Sequence, residues 1–209
     1  MFKAELLQEI RDRFHHVDQC PYQGSRIFFE NAGGSLTLKS VVEVSAHFAS
    51  IPDNQGRDNP ASRELVRVIN KAREDMMTFF GVSEGVVFTG ESGTELLFRL
   101  VRAAIFGSAE DGNVIGSTLE HPATASARSQ WSPIAGKENI SIAHDKDQAM
   151  VTAEHYLEHV TAETRVATII QTSPVVGMAV DVKKLLRQSD QNHPTVSLLW
   201  TVSNTRLMA

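Results

Sequence analysis

The sequence predicts an α/β fold, a mostly parallel sheet with helices on both faces. Two observations predict it. Over the later part of the chain, short apolar runs alternate with segments of helical period, the pattern of strands joined by crossover helices. The chain is also long enough, at 209 residues with 42% hydrophobic and 22% charged residues, to bury a sizeable core, and it carries no internal repeat or low-complexity segment.

Taken in order, Leu6, Ile10, Phe14 and Val17 recur at helical spacing and predict an amphipathic helix over residues 5–17. "RIFFENAGGS" is a short apolar run entering a Gly pair. Val41, Val42, Val44, Phe48 and Ile51 then predict a helix ended by Pro52. The polar loop from Pro52 to Pro60 is a natural place for function. A helix from about Ala61 to Phe80 follows, with Leu65, Val68, Ile69, Ala72 and Met76 on one side and Gly81 as its stop. Next come the run "GVVFT", a helix from Thr94 to Phe106, the run "NVIGST", helical potential from Pro122, the run "NISIA", a helix from Gln148 to Val160, the run "RVATIIQ", and a helix from Asp181 to Gln188. The segments expected are an N-terminal helical piece (1–23), a major domain (24–192) and a separate tail (193–209).

A net charge of −5 and a pI near 5.9 argue against nucleic acid or a membrane surface as the main partner, and favour small-molecule chemistry. The single cysteine, Cys20, forms no internal disulfide, and no apolar run approaches the roughly 20 residues of a bilayer span. A soluble, cytoplasmic protein is expected.

In parallel sheets, ligands gather where loops leave the carboxyl ends of strands. "TGESGTE" sets Gly90, Ser92, Gly93 and Thr94 before a helix, whose first amides and dipole favour a phosphate; a plain N-cap would read the same way. "LEHPA" offers His121, suited to stacking on an aromatic ring or shuttling a proton, or simply structural. "QTSPVVG" puts Gln171, Thr172 and Ser173 at a strand end. Nothing around the remaining histidines completes a metal site.

In this combination and order, "IFFENAGGS", "VVFTGESGTELLF", "LEHPA" and "VATIIQTSPVVGMAVDV" resemble the class V aminotransferase family, fold-type I pyridoxal-phosphate enzymes that include cysteine desulfurases and isopenicillin epimerase-like proteins. The resemblance covers about residues 24–190. It implies an incomplete large domain of the aspartate aminotransferase-like fold and a homodimer in the intact relative. It also implies roles: Ser92, Gly93 and Thr94 on the phosphate of pyridoxal 5'-phosphate, His121 over its ring as the candidate catalytic residue, Ser173 beside the cofactor, and Asn31 near the substrate carboxylate; Arg57, in the polar loop, is a further substrate-facing candidate, although a Gly-Arg-Asp loop is often merely solvated. Pro174 stands where desulfurases often carry an Asn, which favours an epimerase-like branch. The other readings are a non-catalytic phosphate- or nucleotide-binding α/β domain and a dinucleotide-binding domain; no Gly-x-Gly-x-x-Gly supports the latter.

Such an enzyme needs a carboxylate on the cofactor ring and a Lys to form the Schiff base. The resemblance puts the Asp at the end of the next strand and the Lys beyond it, yet "TVSLLWTVSNTRLMA" contains neither. Out of register by one base, the codons of Trp200 and Thr201 must yield Asp at their junction, and those of Met208 and Ala209 must yield Gly. Ordinary synonymous choices elsewhere turn the tail into "DCFIIVDGIQHASHG", a strand ending in Asp followed by Gln and His. The expectation is a truncated, inactive chain whose tail from about residue 194 is frameshifted.

Overall fold

The computed structural model describes residues 2–31, 33–52, 55–192, 196–202 and 206–208. Ala32 of the "NAGG" turn, Asp53 and Asn54 of the polar loop, and residues 193–195, 203–205 and 209 of the tail lie outside the described residues. Two compact units divide the chain, Met1–Phe88 and Thr89–Ala209, so the expected 24–192 segment is shared between them.

The first unit contains α1 (Ala4–Asp12), a short antiparallel pair β1 (Gln19–Cys20) and β2 (Gly24–Ser25), α2 (Lys39–Ala49) and α3 (Pro60–Phe80). Helix α1 stops short of the expected Val17 because Phe14 bridges to Leu38 and His16 takes a left-handed φ of 55°. Helix α3 keeps its expected bounds within a residue. Asn59 Oδ1 accepts from the Ser62 amide at 2.9 Å, Pro60 fills the first turn, and Gly81 closes the helix at φ 67°. None of the three helices buries an apolar side chain. Val41, Val42, Val44, Met76 and Phe79 are all exposed.

The second unit is the α/β sheet. It comprises α4 (Gly93–Gly107), β3 (Asn113–Ser117), α5 (Pro122–Ile134), β4 (Glu138–Ile142), α6 (Ala153–Leu157), β5 (Thr164–Ile170), α7 (Val182–Asn192), β6 (Ser197–Val202) and β7 (Arg206–Met208). The strand order is β4-β3-β5-β6-β7, parallel except for β7, which returns antiparallel on β6. Alternating side chains divide the core in two. Val114 and Val166 pack with Val101 and Ile105 of α4 and Ala127 of α5. Ile115, Ala167 and Ile169 pack with Ala153 and Tyr156 of α6 and Val182 and Leu185 of α7. Helices therefore cover both faces, and β3 and β5 are buried almost throughout.

Two expected elements differ. "GVVFT" forms no strand: Val86 and Phe88 are exposed, and no described strand lies beside them to complete a ladder. The helix expected from Gln148 shrinks to α6, because Ala149 adopts a φ of 50°, Asp145 bridges to Met150, and Thr152 caps the chain only there by accepting from the His155 amide. Helix α7 instead runs longer than expected, with Asp181 Oδ1 accepting from the Lys184 amide at 3.0 Å.

Candidate functional site

Strand order locates a crevice. From β3 the chain passes through α5 to β4 on one side of the sheet order, whereas from β5 it passes through α7 to β6 on the other. Helices α5 and α7 lie on opposite faces, so β3 and β5 flank a topological switch point, where doubly wound sheets bind ligands. The loops leaving these two strands carry His121 and Ser173. They are tied together, since the Ser173 hydroxyl donates to the Leu119 carbonyl at 3.3 Å.

His121 is the N-cap of α5. Its Nδ1 accepts from the Ala123 amide at 3.1 Å, which leaves the opposite edge of an exposed imidazole directed away from that bond. Ser173 is 1% exposed and also accepts from the Val175 amide at 3.2 Å, so its hydroxyl holds the turn together.

At the start of α4, Ser92 accepts from the Glu95 amide at 3.2 Å, and Glu95 folds back to accept from the Glu91 amide at 2.9 Å. Glu95 is held below the usual carboxylate range, first by that amide and then by Arg99. Gly90 packs closely here: a Cβ would lie 2.6 Å from Glu95 Oε2 and 2.8 Å from Leu96 Cδ2, so both side-chain ends would have to shift. The amides of Gly93 and Thr94 have no acceptor among the described residues, and Thr94 is exposed. A neighbouring concavity of about 570 Å³, lined by Thr89, Gly90, Glu91, Glu95 and Arg99, contains neither Thr94 nor His121. Its two carboxylates disfavour an anion, so the phosphate reading stands on the helix amides. Asn31 and Arg57 lie exposed in the first unit.

Beneath His121 is a group that sequence reasoning passed over. Glu120 is 6% exposed and sits in a polar cluster. The Thr168 hydroxyl stands 2.8 and 2.9 Å from its two carboxylate oxygens, the Ser117 amide donates at 3.3 Å, and the Tyr156 hydroxyl donates at 3.4 Å. Arg128 Nε lies 3.4 Å from Oε2 without completing a hydrogen bond, because the guanidinium is committed to Asn139 Oδ1 and the Ile140 carbonyl through Nη1. Burial therefore outweighs the nearby cation and pushes the Glu120 carboxyl up to about 7. The same burial, with the Glu120 charge, pushes the Tyr156 hydroxyl up. Gly116 makes room for the cluster: a Cβ there would lie 2.4 Å from Thr168 Oγ1 and 2.5 Å from Arg128 Nε. One sequence signal was available. Glu120 is the polar neighbour of His121, three residues past the buried strand β3, although strand alternation does not extend into this turn.

No group of metal-ligating side chains occurs among the described residues, and no described helix is long and apolar enough to cross a membrane.

Known proteins resemble the chain in sequence and in fold. A cysteine desulfurase-like protein of Aspergillus flavus is 26% identical over 172 residues, covering 78% of this chain and 38% of the relative. The cysteine desulfurase CsdA from Escherichia coli superposes with a TM-score of 0.71 at 16% identity, over 96% of this chain and 48% of that one. A C-DES mutant with glycine covalently linked to its pyridoxal-phosphate cofactor superposes with a TM-score of 0.70 at 13% identity, over 93% and 49%. The chain thus spans about half the length of these solved structures and less of the curated relative. The sequence model of the aminotransferase class-V family matches residues 27–198, and the chain belongs to that family.

Proposed function

We propose that the chain is the cofactor-binding part of a pyridoxal-phosphate-dependent enzyme acting on an amino acid, of aminotransferase, cysteine desulfurase or epimerase type, and that it is inactive by itself. The observation carrying this reading is the family match over residues 27–198, which spans the topological switch point between β3 and β5. The residues present suit the group. Two first-turn amides of α4, without acceptors among the described residues, face the end of a helix dipole that favours phosphate, and the Thr94 hydroxyl stands beside them. When bound, pyridoxal phosphate supplies a ring that draws negative charge from the amino acid's α-carbon.

The chain's own residues bind and orient. The α4 start would hold the phosphate and His121 would stack on the ring; Asn31 and Arg57, in the first unit, are separate candidates for a substrate carboxylate. Ser173 supports this arrangement from below by fixing the Leu119 carbonyl. Strand β6, beside β5, is the next strand in the sheet, and its sequence "SLLWTV" supplies no Asp for the ring and no Lys. A one-base frameshift near codon 194 is the proposed reason for their absence, and an intact relative carrying both groups is expected to be a homodimer.

The test is to mix the purified chain with pyridoxal phosphate, then with borohydride. Weak reversible binding, reduced in Thr94→Ala, is expected. Reduced cofactor fixed on one specific Lys would contradict the missing lysine, and no binding at all would sink the cofactor reading. Resequencing the locus decides the frame: an uninterrupted frame encoding this tail, with no Lys-bearing segment downstream, would overturn the frameshift.

A further inference from the structure

We propose that Glu120 is a positioning residue for His121, holding the β3–α5 loop through Thr168, Tyr156 and the Ser117 amide so that the imidazole is presented at the crevice. The proposal rests on the reading that His121 covers the cofactor ring. Its basis is convergence. A single carboxylate joins the loop carrying His121 to β5 through Thr168, to α6 through Tyr156, and to the end of β3 through the Ser117 amide. Arg128 of α5 flanks it and reaches β4 through Asn139 and Ile140. These elements come from both faces of the sheet and meet one residue before His121.

The chemistry suits orientation more than packing. A buried carboxylate with an incompletely engaged cation is costly, and an apolar side chain of similar volume would pack there at lower cost. What an apolar residue would lack is direction. Oε1 lies within reach of donors on three separate elements, the Thr168 hydroxyl, the Ser117 amide and the Tyr156 hydroxyl, and the following peptide then sets His121 at the N-cap, where Nδ1 meets the Ala123 amide. Thr168 is held in turn, 3.4 Å from the Ile115 carbonyl. The charged and titratable groups facing Glu120 are Arg128 and Tyr156.

The experiment uses the full chain, with Glu120→Gln, Thr168→Val, His121→Ala and the double variant Glu120→Gln/His121→Ala. One arm records the ring-nitrogen NMR signals of His121, assigned by their loss in His121→Ala. In the wild type, the signals of an Nδ1 that accepts a hydrogen bond are expected. In Glu120→Gln and Thr168→Val they are expected to shift or broaden while those of His47, on α2 of the first unit, stay in place. The second arm titrates pyridoxal phosphate. Glu120→Gln and His121→Ala are each expected to weaken binding about tenfold, as the loss of one ring-stacking contact does, and the double variant no more than His121→Ala alone. Unchanged His121 signals in both substituted chains, with far-UV circular dichroism intact, would overturn the proposal, as would losses that multiply in the double variant. If Glu120→Gln does not fold, Thr168→Val carries both arms. Failure of the wild type to bind pyridoxal phosphate overturns the cofactor reading instead, and the NMR arm then decides Glu120 alone.

Discussion

Replacing Glu120 with Gln is expected to change how stability depends on pH. A carboxyl raised from 4.5 to about 7 by folding binds its proton more tightly in the folded chain than in the unfolded one. Stability from this group is therefore greatest below 4.5, falls as pH rises through the interval, and levels off above about 7. At roughly 1.36 kcal/mol per pH unit, the interval is worth about 3 kcal/mol. The assay is urea unfolding of wild type and Glu120→Gln from pH 4 to pH 8, taking the difference between the two chains at each pH. Histidines and surface groups common to both cancel, which leaves Glu120. The wild type is expected to lose about 3 kcal/mol relative to Gln across the range. A flat difference would refute the claim that burial dominates at this site. A difference of opposite slope would mean that Arg128 and Thr168 hold the carboxylate ionised.

Other substitutions probe neighbouring features. Gly116→Ala forces a Cβ into Thr168 and Arg128 and is expected to cost about 1–3 kcal/mol in thermal unfolding, whereas Gly107→Ala, with nothing within 4 Å, is expected to be neutral or stabilising. Ser92→Ala removes the cap of α4 and is expected to lower stability by about 1 kcal/mol, while Thr94→Ala leaves the melting temperature unchanged and weakens only pyridoxal-phosphate binding. Limited proteolysis followed by mass spectrometry is expected to cut within residues 1–88 before the sheet of the second unit; first cuts inside β3 or β5 would contradict the assignment of the apolar core.

Much of the fold was legible because its signals are local. Asn59, Pro60 and Gly81 mark α3 by cap chemistry, and the apolar runs of β3 and β5 have no other use than a sheet buried on both faces. Other elements failed where the deciding partner is distant in sequence or where one residue breaks a period. "GVVFT" has strand composition but no adjacent strand among the described residues, and Ala149 interrupts a pattern that composition alone extends. The site was legible as loops rather than as orientations. The start of α4 and the loop at His121 stood out, but the inward turn of Ser173 toward Leu119 depends on a contact 54 residues away, and Glu120 gains its role from Thr168, 48 residues on.

The helices of the first unit bury no apolar side chain, and this has a consequence during synthesis. These 88 residues are synthesised before any member of either apolar cluster. At about 5–20 residues per second, the wait from Phe88 to Leu185, the last member of the clusters, lasts roughly 5–19 s. Throughout it, Val41, Val44 and Phe79 offer sticky surface with no core to enter, which makes the nascent chain a client for holding chaperones before it is a candidate for any cofactor.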